Sequence, residues 1–285
     1  MTRADLPRSR LLARRLLRNR LNLAGSLLLL LLVLIALLAP WIAPHSPTAI
    51  AIGARLSPPS AHHPFGTDQY GRDVLSRVLY GTRYDLTMAV LAVLLAAGVG
   101  TPLGMIAGFF GGTADTVIMR LMDLLLAFPD IVFAIVLASV LGPSLSNAIL
   151  ALSIVGIAGY ARIAYGATLS LREQAYVEAA RALGAPNRQI LLRQILPNLL
   201  APVLIRATLG MGFTILLAAG LGFIGLGAQP PTPEWGAMIN EGRNQILIGD
   251  WWTSVFPGLA IVLTVTAFNL VGDGLRDLLD PRAGR

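Results

Sequence analysis

The chain has no cysteine in its 285 residues, which excludes disulfides and any thiolate metal site. It has no lysine either, and all 22 basic residues are arginine. A phosphate-binding P-loop needs its lysine to reach the nucleotide phosphates, so a standard P-loop is excluded. If ATP drives this protein, another subunit hydrolyses it. Three histidines leave little room for imidazole chemistry. His62 and His63 are neighbours in a Pro-rich stretch, with His45 nearby, and lack the rigid multi-ligand geometry of a metal site. No metal is expected. Charge is scarce as well: 13% of residues are charged, against about 25% in a typical soluble domain.

Long apolar runs fill the space that charge leaves. A membrane helix needs ~20 mainly apolar residues to cross a hydrocarbon core of ~30 Å. Six stretches qualify: residues 21–42, 86–110, 117–141, 148–168, 199–224 and 255–271. The expected fold class is an all-α membrane protein with six transmembrane helices. Pro40 and Pro44 fit poorly with a signal-peptide cleavage site, so the first stretch is expected to stay as an anchor.

The net charge of +7 is explained by topology rather than by nucleic-acid binding. Cytoplasmic loops of membrane proteins are enriched in basic residues. With the N-terminus inside, fourteen arginines fall in the N-terminal tail, the loop between spans four and five, and the C-terminal tail. Five fall outside. Both termini are therefore expected in the cytoplasm. All four tryptophans, Trp41, Trp235, Trp251 and Trp252, then lie near the outer interface, a depth that suits amphipathic rings.

This divides the chain into a basic tail and anchor over 1–43, an exported loop over 44–83, and a five-helix core over 84–285. In the exported loop, Val74, Leu75, Val78 and Leu79 recur at helical spacing, which predicts a short helix lying on the outer surface. Gly100, Gly104, Gly108 and Gly112 recur every four residues and suit close helix packing. Gly220, Gly222 and Gly225 spell G-x-G-x-x-G, but the dinucleotide motif needs a preceding strand. At the end of an apolar span these glycines read as packing or unwinding. Two acids interrupt the third span. Asp123 has Arg120, Arg162 and Arg206 as candidate ion-pair partners. Asp130 follows Pro129 and either caps a broken helix or faces a path for a substrate ammonium group.

The loop over 171–198 is too charged for lipid and strongly helix-forming. Glu173 to Leu183 can form one helix. Gly184 suits its C-terminal cap. Pro186 suits the first turn of a second helix, which Pro197 is expected to break. The outcome is a cytoplasmic helix–turn–helix.

EAARALG, Glu178 to Gly184, followed by Leu196 and Pro197, resembles the cytoplasmic EAA loop of permeases in binding-protein-dependent ABC importers. That pattern has isoleucine where Gln194 stands here. FGTDQYGRDVLSRVLYGTR (65–83), GAQPPTPEWGAMI (227–239) and FNLVGDGLRDLLDPR (268–282) resemble the dipeptide, oligopeptide and nickel permeases, most of all the C-type dipeptide subunit. The resemblance implies a subunit of the bacterial inner membrane that forms half of a translocation pathway for short peptides or similar polar solutes. Its partners would be a second permease, two ATPase subunits using ATP and magnesium, and an exported solute-binding protein. The resemblance implies no enzymatic site or cofactor in this chain. Glu178, Ala179, Ala180, Gly184, Leu196 and Pro197 would dock the ATPase. Pro230, Pro231, Pro233, Glu234 and Trp235 would face the binding protein. The rival reading, an ion-gradient-driven transporter, accounts for the spans and Asp130 but not for the cytoplasmic helix–turn–helix.

Overall fold

A computed structural model of the chain describes residues 20–279, so the basic tail before Arg20 and the arginines at 282 and 285 lie outside the described residues. Helices dominate: α1 Arg20–Ile42, α2 Val74–Phe110, α3 Gly112–Leu126, α4 Asp130–Leu141, α5 Leu145–Leu171, α6 Ala175–Ala182, α7 Asn187–Phe223, α8 Trp235–Gly242 and α9 Trp252–Leu279. Among the described residues there is no β-strand, only an isolated bridge between Thr67 and Asp73.

Five helices (α1, α2, α5, α7 and α9) are long and apolar enough to cross a membrane singly. The third expected span, 117–141, is not one helix. It is the pair α3 and α4, bent by 91°. Pro129 is the cause. Its ring disfavours helical backbone at Phe128 and it has no N–H to donate; it sits at φ −57°, ψ 131° as the cap of α4, with Asp130 the first helical residue.

The expected surface helix over 68–85 is also corrected. Val74 to Leu79 are helical, but they are the opening turns of α2, which continues unbroken to Phe110. Asp73 starts it, accepting hydrogen bonds from Ser76 N (2.8 Å) and Ser76 Oγ (2.7 Å). At ~1.5 Å per residue, the 37 residues of α2 span about 55 Å, well beyond the ~30 Å core. The residues before the span therefore stand outside the apolar layer, and Val74 and Val78 are buried there by neighbouring segments.

α2 packs most closely on α5. A methyl group on Gly104 would fall on the Ala161 carbonyl, and one at Gly108 would lie 2.9 Å from Tyr165 O. Gly100 meets Ile157 O in the same way, whereas Gly112 lies past the helix end with nothing near it. Three of the four spaced glycines thus let two backbones approach. α7 differs from expectation at Pro197. The helix does not break there; residues Leu191–Ile195 widen into a π-turn, with Leu196 N–H bonded to Leu191 O. The wider turn relieves the clash a proline ring makes with the carbonyl four residues earlier.

Candidate functional site

The two ends of α2 carry different structures, and the α3–α4 bend lies between them. At the Phe110 end, α6 is followed by a tight turn. Leu183 caps α6, Ala185 N–H reaches back to Ala180 O (3.0 Å), and Gly184 N–H bonds Arg181 O (2.9 Å). This closure needs a left-handed residue after the cap, and Gly184 supplies it at φ +78°. Pro186 caps the next helix from outside, rather than sitting in its first turn. The turn rests on a core formed by Met105, Phe109, Val177, Ile190, Ile195 and Leu199. Arg172 Nη1 donates to Gly108 O (2.9 Å), and the Arg181 guanidinium lies 5.3 Å from the Phe109 ring centre. Glu178, Ala179, Gly184 and Pro197 are exposed, with Ala180 and Leu196 half-buried. Leu183, which sequence reasoning did not single out, stands 88% exposed at the tip.

At the bend, Asp123 pairs with Arg162, settling which of its three candidate partners it takes. Among the described residues Asp130 has no pairing partner. It lines a small cavity with Tyr160 and Arg206.

The Trp235 turn lies at the other end of α2. Pro230 and Pro231 are exposed, but Pro233, Glu234 and Trp235 are buried. Trp235 is 0% exposed and donates from Nε1 to Val78 O (3.1 Å). It presents no surface to a partner, so a contact from this turn falls to Pro230 and Pro231. Glu234 caps α8, Oε1 accepting from Gly236 N (2.7 Å) and Oε2 from Ala237 N (2.8 Å). Asp85, also fully buried, accepts from Trp235 N through Oδ2 (3.2 Å). Asp85 Oδ1 is buried beside the same turn and has no hydrogen-bond partner among the described residues. Burial pushes the Glu234 carboxyl up to about 7, against the pull of its two backbone N–H bonds.

Beside this turn, Glu241 Oε2 accepts from Arg72 Nη2 (2.6 Å) and Arg77 Nη2 (2.9 Å), and Arg72 Nε donates to Asp68 Oδ2 (2.5 Å). His45, His63 and Asp73 bring their polar atoms within 4.8 Å of one another. His63 Nδ1 is 2.9 Å from Asp73 Oδ1, and Asp73 Oδ2 is held by Ser76. Both carboxylate oxygens are therefore engaged, Oδ2 in starting α2 and Oδ1 with His63. His62 is exposed and stands apart.

These features define a polytopic helical membrane protein with a protruding helical turn at one end and a buried polar lock at the other. Residues 100–285 match the family of binding-protein-dependent transport system inner membrane components, and residues 9–59 match the N-terminal transmembrane domain of oligopeptide transport permease C. The chain belongs to this family of inner-membrane transport permeases.

Its relatives include the probable D,D-dipeptide transport system permease protein DdpC of Escherichia coli (strain K12), 48% identical over 93% of this chain and 88% of that one. The dipeptide transport system permease protein DppC of Alkalihalophilus pseudofirmus is 46% identical over 93% of this chain and 87% of its own length. The glutathione transport system permease protein GsiD of Escherichia coli O6:K15:H31 is 46% identical over 94% and 89%. Among solved structures, an inward-facing MetNI methionine ABC transporter shares the fold, with TM-score 0.58 and 20% identity, over 71% of this chain and 96% of that one.

Proposed function

We propose that this chain is one of two related permease subunits of an ATP-driven importer for short peptides or peptide-like solutes. The relatives named for dipeptide, D,D-dipeptide and glutathione transport support that substrate class. In this reading both termini and the Gly184 turn face the cytoplasm. The turn docks into a separate ATPase subunit, with Leu183 as the apolar knob and Glu178 as the charge beside it. Ala179 and Ala180 allow close approach, and Gly184, Leu196 and Pro197 set the direction of the two helices. ATP and magnesium belong to the ATPase subunits; this chain moves solute and breaks no bond. The exposed Pro230 and Pro231 face a solute-binding protein on the other side.

The observation that carries this reading is the exposed Leu183 tip seated on the core that joins α2, α5, α6 and α7. Closure of an ATPase pair pulling on that tip moves the helices that carry the Asp130 cavity. The test is uptake by the assembled transporter carrying Glu178→Lys with Gly184→Trp. Both positions are outside the apolar spans, so membrane insertion is expected to be normal while uptake and co-purification of the ATPase are lost. Normal uptake by a well-expressed double variant would sink the docking role. A reporter exported when fused at residue 185 would overturn the orientation with it.

A further inference from the structure

Charge within a bilayer is costly, ~2.5–3.5 kcal/mol for a mid-span residue on the insertion scale. This bundle mostly meets that cost by pairing: Asp123 with Arg162, and Asp115 with the Tyr165 hydroxyl at 3.0 Å. Three polar side chains around one cavity depart from the pattern. Asp130, the first residue of α4, has no hydrogen bond or ion pair among the described residues. Arg206 of α7 is half-buried, and among the described residues its guanidinium has only the Tyr160 ring, 5.8 Å to the ring centre. Tyr160 is 3% exposed, yet its hydroxyl finds no partner. An unsatisfied buried hydroxyl and two unpaired opposite charges on one cavity leave an open demand for a ligand with both signs of charge.

Two glycines make room for it. A methyl group at Gly210 would lie 2.8 Å from Tyr160 Oη, and one at Gly159 would lie 3.2 Å from Arg206 Nη2. Both belong to the cavity wall. The α3–α4 bend supplies the acid, because Pro129 ends α3 and places Asp130 at the start of α4 beside the cavity.

We infer that Asp130, Arg206 and Tyr160 form a half-site for the charged ends of a zwitterionic substrate such as a short free peptide. Asp130 takes the ammonium group. Arg206 takes the carboxylate, and the Tyr160 hydroxyl donates to a carboxylate oxygen. The cavity is about 60 Å³ in this conformation, room for a few heavy atoms, so the rest of the substrate lies in the path completed by the second subunit. This rests on the permease reading above and names which residues hold which end.

The test is direct peptide binding to the purified complex with its partner permease and ATPase subunits, without the binding protein. Glycylglycine is compared with its N-acetyl and C-amide forms. In the unmodified complex each blocking group is expected to weaken binding about tenfold, the scale of losing one hydrogen bond to a charged group. In Asp130→Asn, acetylation should cost nothing further while amidation still costs tenfold. In Arg206→Gln the pattern should reverse, and Arg206→Lys should keep its sensitivity to amidation. If both blocking groups cost the same in every variant, or if glycylglycine does not bind the unmodified complex, the half-site is wrong. The parent reading fails on a different measurement: absence of peptide-dependent ATPase activity when the binding protein is added to the unmodified complex.

Discussion

The two ends of α2 solve opposite problems. At the Val74 end, polar groups are buried and paired: Arg72, Arg77, Asp68 and Glu241 interlock, Asp85 accepts from Trp235 N–H, and Glu234 caps α8. At the Phe110 end, α6 buries only Val177, and its charged residues face outward. A buried network of interlocked charges resists deformation, because breaking one contact leaves a desolvated charge. A helix that buries a single residue, Val177, and is followed by a left-handed glycine is a rigid piece on a soft mount. A protein that passes motion from one end to the other is well served by this division, with a fixed frame at one end and a handle at the other.

The largest expected effect is at Trp235. Trp235→Ala removes a fully buried ring and its hydrogen bond to Val78, and should cost about 3–5 kcal/mol. Leu183→Ala, at the other end, should leave thermal unfolding of the purified complex unchanged while reducing the ATPase that co-purifies. Equal destabilisation by the two substitutions would abolish the contrast.

Next is the ionic lock. Glu241→Leu leaves the guanidinium groups of Arg72 and Arg77 beside each other without their shared acceptor. Breaking a buried pair in this way costs about 3 kcal/mol. Limited proteolysis of the 44–73 segment reports it: cleavage should accelerate, and adding Arg77→Met should slow it again by removing one orphaned charge. Failure of the second substitution to restore protection would show that Arg77 contributes packing rather than charge pairing.

At the soft end the effect is smaller. Gly184→Ala meets no neighbour, since nothing lies within 4 Å of a methyl group there, so the cost is backbone strain alone, about 1–2 kcal/mol for a left-handed alanine. Hydrogen exchange in α6 should quicken while global unfolding stays put. A global shift would mean that the turn is more tightly integrated than its exposure indicates.

Much of this architecture is legible in the chain because apolar runs of membrane length have few alternative explanations. The spans, the spaced glycines and the glycine turn follow from local rules. The departures come where local rules compete with packing. Pro197 reads as a helix breaker, yet a π-turn absorbs it because the helix on either side is anchored by Ile190, Ile195 and Leu199. Val74 to Leu79 read as a short surface helix from their helical spacing, but Arg77 and Asp85 are buried and bonded, so the helix continues. Trp235 reads as an interfacial aromatic, and only the position of Gly81 under its ring reveals that it is enclosed. The bond from Trp235 N–H to Asp85, 150 positions apart in the chain, has no local signal at all.

Glu234, in the same turn, gives the smallest and most discriminating prediction. Burial raises the Glu234 carboxyl above its ordinary range to about 7. The sign follows from linkage: a group whose folded pKa is raised contributes stability that is fully present below its unfolded value of 4.5, and this is lost as pH rises through about 7. Between pH 6 and pH 8 the unmodified protein should therefore lose about 1 kcal/mol at this site. Glu234→Gln removes the titrating carboxyl while its amide oxygen can still accept an α8 N–H bond. Thermal unfolding of the Glu234→Gln protein should fall less between pH 6 and pH 8 than that of the parent. Other titratable groups are common to both proteins and cancel in the difference. An identical pH slope in the two would show that burial does not hold the Glu234 carboxyl above its ordinary range, and that the rigid end of α2 is closed by Trp235 packing and the Glu241 network alone.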